Sequence, residues 1–264
     1  MRTAITGAGG LVATALARAL GSGVSELRHA DLDVTDREAV LRALAGFDVV
    51  FNCAVSGVDE AEEDPEGARR VIVDGAANVA AAAPIAVYFS TNYVFDGRGA
   101  RPYTIADEPQ PINVYGRLKA ESERAVLAVN PRAVVIRTSW VFGAAGRNFL
   151  SSAPRRLRAG ERVEAIEDVW ASVTYAPDLA EAALALVERP GLHHAVNDGV
   201  CSYLDFAQEA ARIVGADPAL VVRVSSAAVM RAPRPRFTPL IADVPMRGWR
   251  RALANYCTEM MRST

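Results

Sequence analysis

A strand, a glycine turn and a helix, in that order over residues 2–13, constrain this chain more than any other stretch. Arg2-Thr3-Ala4-Ile5-Thr6 reads as a strand and Gly7-Ala8-Gly9-Gly10 as a tight turn. Leu11, Val12 and Ala13 then open a run that sets Leu16, Ala17 and Leu20 at helical spacing. Glycines let the backbone turn sharply and let its amides approach a pyrophosphate, which then sits on the positive end of the helix dipole. The spacing is Gly-x-x-Gly-x-x-Ala, with Ala13 where helix and strand pack closely. A glycine-rich turn alone is a weak signal. At the head of a first strand–helix unit it predicts dinucleotide binding through Gly7, Gly10, Leu11 and Val12.

The alternation continues down the chain. Strands are expected at 24–28, 47–51, 85–89 and 133–137, with helices at 37–44, at 68–83 and from Tyr115 onward. Such repetition argues for an α/β fold with a doubly wound parallel sheet of the Rossmann kind, joined by right-handed crossovers. Beyond Gly143 the pattern loosens into a basic helix (148–159), a short strand (162–166), a helix at 178–187 and a strand at 193–197 that return to the sheet, then helices at 203–214 and 249–256. The expected division is a dinucleotide-binding domain of residues 1–143 plus 172–198 and a smaller C-terminal substrate-binding lobe of 144–171 plus 199–264. The Gly/Pro-rich loop 96–111 reads as a flap over a substrate. Arg155, Arg156 and Arg158 read as a solvated face rather than a phosphate site.

The end of the second strand bears on the choice of cofactor. In an NAD site an acidic side chain about 20 residues past the turn takes the ribose 2′-hydroxyl, whereas a nearby arginine suits a 2′-phosphate. Arg28-His29 stands here, so NADP(H) is expected, and neighbouring Asp31 keeps NAD(H) as the alternative. Asp33-Val34-Thr35-Asp36 is an acidic turn that caps the next helix and brings Asp33 and Val34 toward an adenine. Cys53, Ala54 and Val55 are small residues at a strand's carboxyl end, where open α/β sheets bind ligands, and they leave room for a cofactor. Cys53 reads as an apolar filler rather than a reactive thiol.

Tyr115 and Lys119 form a Tyr-x-x-x-Lys spacing at the start of an amphipathic run, which puts phenol and ammonium on one helix face. Lys119 is the only lysine among 29 basic residues, so arginine has taken every other such position. An ammonium is a compact charge able to lower a neighbouring phenol's pKa and hydrogen-bond a ribose, and a planar guanidinium is a poor substitute. The competing reading is a surface tyrosine with a solvated lysine. Ser90-Thr91, delivered by the strand 85–89 to the same sheet edge, adds a hydroxyl. Thr91, Tyr115 and Lys119 beside a dinucleotide are the set needed to move a hydride to or from a carbinol carbon, with Tyr115 handling the proton and Thr91 directing the oxygen.

Composition excludes other classes. A net charge of −2 gives no pull toward nucleic acid or anionic membrane, and the most apolar stretch, 79–89, is cut by Pro84. The strand-like opening leaves no room for a signal peptide. Three scattered cysteines offer neither a disulfide framework nor a metal site. The expectation is a cytoplasmic protein with a small-molecule substrate and no metal, with a homodimer left open.

On these residues the chain resembles the extended short-chain dehydrogenase/reductases, and within them the dTDP-4-dehydrorhamnose reductase family of nucleotide-sugar 4-ketoreductases. The carrying segments are 6–12, 31–36, 58–62, Ser90-Thr91-Asn92-Tyr93-Val94-Phe95, Asn113-Val114-Tyr115-Gly116 through Lys119, Arg137-Thr138-Ser139-Trp140-Val141-Phe142-Gly143, and Arg234-Pro235. The resemblance implies NAD(P)H-dependent reduction of the 4-keto group of a nucleotide-linked, dTDP-type deoxysugar, with Thr91, Tyr115 and Lys119 as the catalytic set. Val58, Tyr93, Trp140 and Arg234 would border the sugar nucleotide. The chain departs from the family's pattern at Asn92, where an aspartate is usual, at Val169-Trp170, where a glutamine-containing segment is usual, and at Ile72, where the extended type often has asparagine. Asn92 and Trp170 are therefore expected at a sugar site altered toward a less hydroxylated sugar. The alternatives are a sugar-nucleotide epimerase or dehydratase that retains NAD, and a non-catalytic dinucleotide-binding subunit such as the regulatory β subunit of methionine adenosyltransferase.

Overall fold

In the computed structural model, which describes residues 1–262, five strands succeed one another through the first half of the chain. They are β1 (Thr3–Thr6), β2 (Ser25–Leu27), β3 (Val49–Asn52), β4 (Ile85–Thr91) and β5 (Val134–Thr138). With the strand Gly191–His194 they form one sheet in the order Gly191–His194, β5, β4, β3, β1, β2, every pairing parallel. The chain winds outward from β1 to β2 and then resumes on the other side at β3, which opens a crevice at the carboxyl ends of β1 and β3.

The crossovers are α1 (Leu11–Leu20), α2 (Arg37–Ala43), the run α3 (Val58–Glu63), α4 (Pro65–Arg69) and α5 (Ala76–Ala82), and α6 (Val114–Val129). A strand turns successive side chains to opposite faces, so a sheet covered on both sides needs unbroken apolar runs. Ile5, Phe51, Val87 and Ile136 pack with Leu16 and Leu179 on one face. Their neighbours Ala4, Val50, Tyr88 and Val135 pack on the other, against Val40 and Val79 or against Val126. A second core joins Phe142, Leu150, Leu157, Tyr175, Phe206, Trp249 and Tyr256 in the smaller lobe. There Val163–Ile166 pairs in parallel with Val221–Val224.

Three expectations shift. The last sheet strand lies at Gly191–His194, because its register on β5 runs from Gly191 opposite Val134 to His194 opposite Arg137. Asn197 has left the sheet and accepts from the Tyr175 amide at 2.7 Å. The expected helix 68–83 begins earlier, at Pro65, with Asp64 as its cap. It is then interrupted by a π turn at Arg70–Gly75. Loop 96–111 is no free flap. Tyr103 stacks on Phe95 at 4.1 Å and bridges to Leu240, while Arg101 pairs with Asp107.

Candidate active site

The glycine turn is built for close approach. Gly7 has φ +69°, and a Cβ there would fall 2.5 Å from the Ala54 nitrogen. The turn can therefore lie against the end of β3 only as glycine. Gly10 is the N-cap of α1 and provides no side-chain cap, and the first helical turn carries no acidic residue. The free amides of that helix end suit an anion such as a pyrophosphate.

Thr91 ends β4. Its hydroxyl accepts from the Tyr93 amide at 3.2 Å and stands close enough to the Tyr115 phenol to act on its pKa. Tyr115 is brought there by the start of α6. Asn113 caps that helix by accepting from the Gly116 amide at 2.7 Å, and the Glu62 carboxylate accepts from Val114 N at 2.7 Å. A Cβ on Gly116 would collide with the Tyr93 carbonyl. Only glycine lets α6 sit this close to the turn after β4. Sequence reasoning passed over Gly116, although a glycine inside the first turn of an otherwise well-formed helix marks such an approach.

Lys119 lies one turn further along α6 and is 3% exposed. Its ammonium donates to the Tyr88 hydroxyl at 2.7 Å and to the Phe89 carbonyl at 2.5 Å. Burial brings its pKa down to about 7, against the raising influence of Glu123 and Cys53. The Tyr115 phenol, in contrast, is pushed well up by burial and by Tyr93, with only the Thr91 contact acting the other way. The expected lowering of the phenol by Lys119 is thus absent from this arrangement, in which the ammonium is engaged with β4. Burial also raises the Cys53 thiol to about 12, which agrees with a filler rather than a nucleophile.

Leu11, Val12, Cys53, Ala54, Val55, Val58, Thr91, Tyr115 and Lys119 share one cavity of about 420 Å³. Tyr93 and Trp140 also line it; Tyr93 meets the Tyr115 ring edge-on, with centroids 6.3 Å apart. Trp140 is the one non-glycine residue with positive φ among those described, at +34°, and stacks on Tyr203 at 3.9 Å. Such backbone strain persists only where surrounding contacts enforce it. A second cavity of about 790 Å³ is lined by Arg156, Arg162, Arg231 and Arg234, by the carboxylates of Asp59 and Glu164, and by Phe149 and Tyr203. Arg234 pairs with Asp59 at 3.0 Å, and its guanidinium lies 5.9 Å from the Tyr93 ring centroid.

Of the other predicted site residues, Asn92 alone lines either cavity. Arg28 and Asp33 are exposed near the end of β2, and the Asp33 carboxyl is held low by the Thr35 amide and hydroxyl. Val34 is buried against Gly75. Asn92 lines the smaller cavity, but its amide is engaged: it donates to Thr238 at 2.7 Å and accepts from Thr91 at 3.3 Å. Trp170 lines neither cavity. It sits on a two-residue strand between Ser202 and Phe237, where alternation turns Ala171 inward and the indole away.

The family model for the RmlD substrate binding domain matches residues 1–262. The chain belongs to that family. It is 40% identical over 285 residues to the dTDP-4-dehydrorhamnose reductase of Mycolicibacterium smegmatis, covering 100% of this chain and 87% of that protein. It is 36% identical to a probable dTDP-4,6-dihydroxy-2-methyloxan-3-one 4-ketoreductase of Streptomyces antibioticus, covering 96% of this chain and 93% of the relative. Among solved structures, the dTDP-4-dehydrorhamnose reductase of Bacillus anthracis in complex with NADP superposes with a TM-score of 0.91 at 28% identity, over 98% of this chain and 99% of that one. No helix among the described residues of this family member is long and apolar enough to cross a membrane.

Proposed function

We propose that this chain is an NADPH-dependent reductase of the 4-keto group of a nucleotide-linked deoxysugar, with dTDP as the nucleotide. One observation carries the reading: Thr91, Tyr115 and Lys119 line the same cavity as Leu11 and Val12 of the glycine turn. The cofactor would rest on Gly7, Gly10, Leu11 and Val12, with Arg28 toward the 2′-phosphate, Asp33 and Val34 toward the adenine, and Cys53 to Val55 along its flank. When bound, it supplies the hydride. Burial keeps the Tyr115 phenol protonated at neutral pH, so Tyr115 serves as the acid that gives a proton to the carbonyl oxygen. Thr91 hydrogen-bonds the same oxygen and fixes its direction. Lys119, on the same helix face, holds the ribose.

The arginine-lined cavity supports a diphosphate-bearing substrate, since guanidinium forks match phosphate geometry and the flanking aromatic rings offer a face to a base. Val58, Tyr93, Trp140 and Arg234 then border the sugar nucleotide, and Trp170 is left out. The three free thiols accord with a reducing cytoplasm, and sedimentation would separate a monomer from a homodimer. The deciding experiment mixes the protein with NADPH and a dTDP-4-keto-6-deoxyhexose and follows NADPH absorbance alongside product. One NADPH consumed per sugar reduced is the expected result. Turnover without net consumption would instead indicate an epimerase or dehydratase, and no turnover a binding subunit.

A further inference from the structure

Tyr88 has a hydroxyl that packing alone does not explain. Its ring is wholly enclosed on β4 among Ala76, Ala80, Val126 and Val135, where phenylalanine would fill the same space. A buried hydroxyl costs stability unless it is hydrogen-bonded. Its neighbours here are the Lys119 ammonium, 2.7 Å away, the Ser122 hydroxyl, and more distantly the Ile72 carbonyl at 3.5 Å. Ile72 lies inside the π turn Arg70–Gly75, where backbone pairing departs from the α-helical pattern. The hydroxyl can therefore accept from the ammonium while donating toward a carbonyl. Lys119 has three donors. Tyr88 and the Phe89 carbonyl take two, and Lys119 lines the catalytic cavity, so one proton is left to face it.

We propose that Tyr88 is a positioning residue for the reaction: its hydroxyl clamps Lys119 Nζ so that the free proton points into the cavity and the side chain stays an ammonium. The proposal rests on the reductase reading for its consequence, though not for its geometry. The groups that face Lys119 are Glu123 on its own helix and Cys53 at the end of β3, with Tyr88 on β4 in direct hydrogen-bond contact; Tyr115 and Glu123 in turn act on Tyr88. Burial presses the ammonium toward neutrality and the charges of Glu123 and Cys53 oppose it, while the Tyr88 oxygen accepts from the charged form at 2.7 Å.

Because Lys119 is the sole lysine, protein isotopically labelled at lysine Cε gives one side-chain resonance whose pH titration reads this group directly. In Tyr88→Phe, with folding checked by thermal melting, the midpoint is expected to fall by about one pH unit. NADPH binding measured by fluorescence should weaken about tenfold above the new midpoint and recover below it, whereas a purely structural role would weaken it evenly across pH. Should Tyr88→Phe not fold, Tyr88→Met fills the space without a hydroxyl and carries the same expectation. An unchanged midpoint in a folded variant overturns the proposal, as does failure of both variants to fold. Absence of NADPH-dependent ketoreduction by the unaltered protein refutes the reductase reading instead and leaves the Lys119 titration readable.

Discussion

The Glu123 carboxylate grips the Arg137 guanidinium in a two-pronged pair, at 2.8 and 2.7 Å, with side-chain exposures of 7% and 2%. The Ser90 hydroxyl donates to the same carboxylate at 2.5 Å, so the pair braces the carboxyl end of β4 from the far side of Thr91. Removing one partner of a buried pair strands a charge and costs about 3–5 kcal/mol, although well-packed apolar replacements for both can be neutral. Glu123→Ala should lose that much stability in urea unfolding. Glu123→Leu combined with Arg137→Met should regain most of it, the more so because Arg137 Nη1 has no partner among the described residues. A double variant no better than the single one would show that the pair does more than neutralise itself.

Tyr115→Phe tests the proton donor alone. The ring and its edge-on contact with Tyr93 survive, and only the acid is lost. Turnover should drop by about 10²–10⁴, the usual worth of a positioned general acid, with NADPH affinity nearly unchanged. Retained turnover would mean that another group delivers the proton.

Gly116→Ala should harm the reaction without touching a reacting atom. Its Cβ would meet the Tyr93 carbonyl, so the start of α6 must move away and carry Tyr115 off Thr91. A misplacement of about 1 Å can cost roughly a hundredfold in rate. Steady-state kinetics should show this mainly in kcat, while Leu11, Val12 and the glycine turn keep the cofactor affinity. A variant with wild-type kcat would mean that the helix start can give way locally.

These particulars mark what the amino-acid order discloses. The glycine turn, Thr91, Tyr115 and Lys119 were legible because each sits in a strong local pattern: a strand end, a turn, or an i, i+4 pair on a helix. Tyr88 was hidden inside an apolar strand run, where its ring announced burial and its hydroxyl announced nothing. Glu123 and Arg137 belong to different elements, and only the packing of α6 across β5 brings them together. Trp170 lines neither cavity, and its facing direction was not legible because a two-residue strand carries no readable period and takes its orientation from partners distant in sequence.

Arg28 tests cofactor choice. It is exposed at the end of β2, and its backbone amide donates to the Asp31 carboxylate at 2.9 Å. A charge-assisted contact to a 2′-phosphate contributes about 1.5–3 kcal/mol, hence roughly ten- to a hundredfold in affinity. Arg28→Ala should raise the KM for NADPH by that factor and leave NADH nearly untouched. Equal losses with both cofactors would assign Arg28 to the fold of the turn.

His194 sets an acid limit on stability. It is wholly buried on the edge strand beside β5, with Nδ1 3.2 Å from the Ile241 carbonyl and Nε2 without a partner. Burial, reinforced by the Arg137 charge and opposed by Asp243, brings its pKa down from 6.5 to about 4. The folded state therefore takes up its proton later than the unfolded chain. Stability owed to neutral His194 is complete above about pH 6.5 and drains away as pH falls toward 4, to a total of roughly 3 kcal/mol. His194→Asn keeps an amide donor near Nδ1 and removes the titration. Urea unfolding across that window should find the variant losing less stability than the unaltered chain. Parallel curves would mean that the imidazole titrates alike in both states, and the acid sensitivity would then belong to the carboxylates.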